Sequence, residues 1–89
     1  MTIKIYKPDN NEILQKNIKS WPIWEKEISE FDWYYDETEE CYLLSGQVSV
    51  KTKNGEYVEF GKGDFVTFPK GLECKWKIIK PVKKHYNFK

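Results

Sequence analysis

The sequence predicts an all-β domain with one short helix near its start. Three observations carry this. From Trp21 onward, runs rich in Val, Ile, Tyr, Phe and Trp alternate with polar residues at the period of a half-buried strand. Turn residues bound those runs at regular intervals: Gly46, Asn54-Gly55, Gly61-Lys62-Gly63-Asp64, Lys70-Gly71 and Pro81. After one helical pattern near the start, no second follows. Short strands with regular turns make a sandwich or a barrel.

In chain order, Ile3 and Ile5 alternate with polar neighbours and give a first strand. Asp9 or Asn10 caps a helix predicted over 11–18, with Ile13, Leu14 and Ile18 as a narrow apolar stripe that packs on a sheet. Pro22 sets an extended entry to the next run. Strands are then predicted over 23–29, 31–35, 40–45, 47–53, 56–60, 65–69, 73–79 and 82–87. Asn54-Gly55 predicts a type I′ hairpin, whose two central residues need positive φ. Gly63-Asp64 and Lys70-Gly71 predict sharp turns, and Pro69 suits a strand end, where a missing N–H is tolerated. Alternation places Val48, Val50 and Thr52 on one face, and turns Trp33, Tyr35, Cys74, Trp76 and Ile78 inward.

The 89 residues make one domain, with a strand and helix over 1–20 and the strand-rich body over 21–89. A chain this short buries only about 60–65% of its unfolded surface, so the 17% of aromatic residues must supply much of the core. Net charge is +1, which gives no global field to draw in nucleic acid or an anionic membrane. Lysines gather late (Lys70, Lys75, Lys77, Lys80, Lys83, Lys84, Lys89), but acidic residues elsewhere offset them, as on a solvated surface. No apolar run suits a signal peptide or a membrane helix, so a cytoplasmic location is expected, with Cys41 and Cys74 as free thiols.

Two segments carry a family pattern. In the second, Gly63 is followed after five residues by Pro69, after one by Gly71 and after two more by Cys74. In the first, Glu39 is followed after six residues by Gly46, with Trp33 and Tyr35 upstream. From about Trp21 to Tyr86 the chain resembles the cupins. Trp33 and Tyr35 stand where cupins usually carry an HxH pair, and Cys74 where they carry a third histidine. With WPIWE before and KHYNF after, the chain looks like the single-domain group related to the cupin domain of (S)-ureidoglycine aminohydrolase, which includes the ethanolamine-utilisation cupin. The group is largely of unknown function. The resemblance implies a conical jelly-roll β-barrel, often a homodimer, with its site inside.

Many cupins bind a divalent metal through those three histidines and the glutamate. Here indole has no in-plane lone pair to give, and a protonated phenol ligates poorly. One carboxylate and one thiol remain, too few for a tight site, so no metal is expected. The weaker alternative is zinc on Glu39 and Cys74, with Tyr35. Without a metal, Trp33, Tyr35, Glu39 and Cys74 are expected in one pocket. An inward carboxylate among aromatic rings is poorly solvated and suited to acid–base work, so Glu39 is the candidate acid–base. Tyr35 would orient a substrate oxygen, and Trp33 or Trp76 would stack on a flat or cationic ligand. Cys74 is a candidate nucleophile only if His85, the one histidine, lies beside it; otherwise it is core. Lys84 would present an ammonium at the mouth, and either His85 or Tyr86 faces inward. Trp21 and Trp24 are read as packing or dimer contacts. The expected activity is acid–base chemistry on a small polar metabolite; the alternatives are a non-catalytic ligand binder and a structural barrel filled by its own side chains.

Overall fold

The computed structural model describes residues 2–89. Its elements are β1 (Lys4–Tyr6), α1 (Asn10–Gln15), a 3₁₀ turn (Ile18–Ser20), β2 (Ile23–Lys26), β3 (Ser29–Tyr34), β4 (Glu39–Thr52), β5 (Tyr57–Gly61), β6 (Phe65–Phe68) and β7 (Glu73–Phe88). All pairings are antiparallel, as an all-β jelly roll requires. No helix among the described residues is long and apolar enough to cross a membrane.

Two long strands, β4 and β7, run beside each other and organise the rest. The start of β4 (Glu39–Tyr42) pairs with β6 on one side and with the end of β7 on the other. Its later part (Gln47–Lys51) pairs with β5 and with the beginning of β7. β3 lies against the first part of β7, from Ile78 back to Glu73, and β2 against Val82–His85. The sheet therefore folds over on these two strands into halves, β1-β6-β4-β7-β2 and β5-β4-β7-β3. Val48, Val50, Phe60, Trp76 and Ile78 from one half pack with Cys41, Val66 and Phe68 from the other in a single core that Tyr35, just after β3, joins.

The fold is where Gly46 and Pro81 sit. Both were expected to end strands; instead each lies inside a longer strand and bends it. Gly46 takes φ +105°, and a Cβ there would lie 2.5 Å from the Pro81 carbonyl oxygen and 2.8 Å from Val82 Cα. Only glycine fits that approach. The register between β4 and β7 shifts around it, as bulges do where a sheet turns a corner.

Three other boundaries differ from the expectations. The helix stops at Gln15, not at 18, because Asn17 adopts φ 56° and hands the chain to the 3₁₀ turn. Its start is as expected: Asp9 caps it by accepting from the Glu12 amide at 2.9 Å. The run over 23–29 breaks after Lys26, and Ser29 starts β3. Between β4 and β5 the turn is not type I′. Gly55 alone has positive φ there (95°), and its amide donates to the Thr52 carbonyl at 3.0 Å. The Thr52 hydroxyl donates to the Asn54 side chain and accepts from the Glu56 amide, so Asn54 is held without a left-handed backbone. The turns at Gly63 (φ 87°) and Gly71 (φ 89°) are as predicted.

The helical segment covers the outside of the sheet. Ile13 and Ile18 bury Phe65 there, with Trp21 and Tyr42 packed alongside.

Candidate functional site

Inside the fold lies a cavity of about 200 Å³. β2 supplies Trp24, β3 supplies Phe31 and Trp33, and Tyr35 follows directly; β4 supplies Glu39, and β7 supplies Trp76, Lys84, Tyr86 and Phe88. Seven of these nine side chains are aromatic, because alternate residues of β3 and of the two ends of β7 face inward. Register explains the polar pair. Leu43 opposes Lys84 and Cys41 opposes Tyr86, both on the inner face, whereas Tyr42 opposes His85 on the outer face under the helical segment.

Lys84 Nζ donates to Glu39 Oε2 at 3.0 Å, with both side chains about 95% shielded from solvent. The ammonium also lies 4.9 Å from the Trp24 ring centre and 4.7 Å from that of Trp76. Cation–π attraction on two sides and a carboxylate on the third compensate part of its desolvation. Glu39 Oε1 takes no hydrogen bond among the described residues, yet no buried side-chain oxygen there is left unpartnered. That oxygen is therefore open to the cavity.

Tyr35 stacks on Phe68 with ring centres 4.8 Å apart and planes at 6°. Its hydroxyl accepts from Trp76 Nε1 at 3.1 Å, which leaves its own proton uncommitted. Burial, reinforced by the charge of Glu39, holds the phenol well above its ordinary range, so it is a donor at neutral pH. Phe31 stacks on Trp76 at 16°, and Trp33, 47% exposed, closes the rim.

Trp33, Tyr35, Glu39, Trp76 and Lys84 all line the cavity. Lys84 lies deeper than the expected mouth position, and it is the partner of Glu39. Cys74 does not join them. It opposes Trp33 across β3 and β7, and its thiol lies 3.7 Å from the Trp33 carbonyl oxygen. Its open side is a groove lined by Asp32, Lys51 and Thr52, with Trp33 between that groove and the cavity. Burial, with Asp32 and Glu39 adding, pushes its thiol up to about 11. His85 Nδ1 lies 2.9 Å from the Trp21 carbonyl oxygen on the outer face, so Tyr86 is the residue that faces inward. Cys74 and His85 thus lie on opposite sides of the sheet, and no thiolate–imidazole pair forms.

Sequence reasoning missed Trp24, Phe31 and Phe88 as cavity walls and left the choice between His85 and Tyr86 open. The register of β7 against β4 would have located Tyr86 and Phe88, but it depends on the bulges around Gly46.

Residues 14–86 match the EutQ-like cupin domain. The chain belongs to the EutQ-like cupin family. It is similar to a DUF861-family protein from Thermotoga maritima, at 53% identity over 99% of this cupin and 100% of that chain, with a TM-score of 0.98. A DUF861-family protein of unknown function from Pseudomonas syringae pv. tomato is 26% identical over 75% of this chain and 29% of that one, with a TM-score of 0.68. The Clostridium difficile EutQ protein shares the fold: 19% identity, coverage of 98% and 68%, TM-score 0.69. No curated protein matches the chain.

The donors of this cupin do not fit the metal its fold often holds. No group of three or more His, Cys, Asp or Glu side chains able to hold an ion exists among the described residues. Glu39 carries an ammonium instead, Tyr35 keeps its proton, and Cys74 keeps its own while facing another opening.

Proposed function

We propose that this cupin binds a small polar metabolite in the aromatic cavity without a metal, and that Glu39 and Lys84 serve it as an acid–base pair. One observation carries the reading: a carboxylate and an ammonium are buried together at the base of a cavity with a free carboxylate oxygen. Burying two charges costs several kcal/mol, and a well-packed apolar pair of similar volume is often as stable or more so. Such a pair is expected where it serves a ligand. Trp33, half-exposed at the rim, would stack on the ligand, and the Tyr35 hydroxyl would donate to its oxygen. Glu39 would take a ligand proton and Lys84 would supply one, both within one hydrogen-bonded unit. Cys74 and His85 have no part in this chemistry.

The test is a thermal-shift and tryptophan-fluorescence screen of small polar metabolites, followed by assay of each binder for turnover. Binding that is lost in Trp33→Ala and turnover that is lost in Glu39→Gln are the expected results. Turnover unchanged in Glu39→Gln would refute the acid–base role, and binding unchanged in Trp33→Ala would refute the cavity. We further propose a homodimer in the cytoplasm. Trp24 is turned inward and unavailable for its interface, but Ile23, Ile28 and Ile79 are exposed. Light scattering on the purified chain should report two copies, and one copy at micromolar concentration would refute it.

A further inference from the structure

Two polar groups of the cavity are left for a ligand. Lys84 is not one of them, because its ammonium is directed at Glu39 and at the faces of Trp24 and Trp76. The two are an acceptor, the open Oε1 of Glu39, and a donor, the uncommitted hydroxyl proton of Tyr35. Both residues line the cavity, and the Glu39 charge bears on the Tyr35 phenol, so the two groups lie near each other. The remaining walls are rings, and Phe31 and Trp76, stacked on each other, make one wall and no slot. Glu39 and Lys84 are the only charged residues that line the cavity, and they are paired. A charged ligand would stand uncompensated in this apolar enclosure. An apolar cavity of about 150 Å³ holds one benzene. This one, of about 200 Å³, has room for a single ring-sized body with a substituent.

We propose that the ligand is a neutral alcohol, one hydroxyl group on an apolar body about the size of a single ring. Its O–H donates to Glu39 Oε1 and its oxygen accepts from the Tyr35 hydroxyl, while the body lies among the aromatic walls. A hydroxyl does both through one oxygen. A ketone of the same size accepts from Tyr35 but leaves Oε1 unpaired. An amine is a cation near neutral pH and brings the charge that the cavity does not balance. A polyol strands its further hydroxyls against the rings. This rests on the small-ligand reading of the cavity and narrows the class of ligand. It also names the proton that Glu39 receives in that reading, the one on the hydroxyl.

The experiment is titration of the full chain with five probes, followed by tryptophan fluorescence, since Trp24, Trp33 and Trp76 line the cavity. Cyclohexanol is the alcohol, and cyclohexanone has the same ring and oxygen without the proton. Cyclohexylammonium and cyclohexanecarboxylate put a charge in the hydroxyl's place, and glycerol has hydroxyls without the apolar body. Cyclohexanol should change the fluorescence saturably. Cyclohexanone and each ion should bind roughly tenfold or more weakly, since an unpaired buried group loses about a factor of ten. The double variant E39L/K84M should lose the preference for cyclohexanol over cyclohexanone, with its folding checked by circular dichroism. Cyclohexanone or either ion bound as tightly as cyclohexanol, or a preference that the folded double variant keeps, would overturn the hydroxyl contact. Glycerol bound without cyclohexanol would overturn the alcohol and leave the small-ligand reading standing. Binding of none of the five at millimolar concentration would overturn both.

Discussion

Glu39 and Lys84 are the residues on which function and stability pull apart. Removing one partner strands a buried charge, so Glu39→Leu or Lys84→Met alone should cost about 3–5 kcal/mol. The double variant should recover most of that loss, because two apolar groups replace two charges. Chemical denaturation of the three variants measures this, and a double variant as unstable as the worse single one would mean that the pair holds the fold together. The cysteines give a second prediction. Burial pushes Cys41 up to about 12 and Cys74 up to about 11. At pH 8 roughly a thousandth of Cys74 is then thiolate, and alkylation of both should be slow until well above pH 9. Fast labelling of Cys74 near neutrality would contradict this. From the sequence, an inward Glu39 was legible in its spacing to Gly46, but its partner was not. Lys84 lies 45 positions away and reads as one more lysine in a basic stretch.

Among the elements, the bend in β4 and β7 matters most for the site. It brings Trp76, from the first part of β7, and Lys84, from the second, to the same cavity. Gly46→Ala must move Pro81 and Val82 backbone and adopt an unfavourable φ, so it should cost about 3 kcal/mol or more. Gly55→Ala, at φ +95° but with open space around it, should cost only about 1 kcal/mol. Melting temperatures of the two variants give the contrast, and equal losses would show that Gly46 is not the corner. Strand positions were largely legible because alternation and turn residues are local signals. The joining of 40–45 to 47–53 and of 73–79 to 82–87 was not, since a glycine or proline that bends a strand looks in sequence like one that ends it. The same limit hid the inward turn of Tyr86: His85 and Tyr86 differ only through the register of β7.

Over the whole molecule, buried acids of high pKa set the response to alkali. Cys41, Cys74 and Tyr35 are all held above their ordinary values by burial. A group whose pKa is raised on folding stabilises fully below its unfolded pKa and ceases to as pH rises through the folded value. Stability should therefore hold up to about pH 9, the ordinary thiol value, and fall steadily toward pH 12. Cys74→Ala should flatten part of that fall, as followed by melting temperature against pH. The cupin pattern was legible from spacing, and the narrower group from WPIWE, KHYNF and the residues at the ligand positions, whereas the cavity depended on seven rings meeting from four segments. What occupies it is decided by combined elemental analysis and native mass spectrometry of protein purified without chelator or metal-affinity resin. A metal-free chain, with any retained mass that of a small organic molecule lost in E39L/K84M, is the expected result. A stoichiometric divalent metal would contradict the reading of Trp33, Tyr35, Glu39 and Cys74 and of the lysine that stands beside the glutamate.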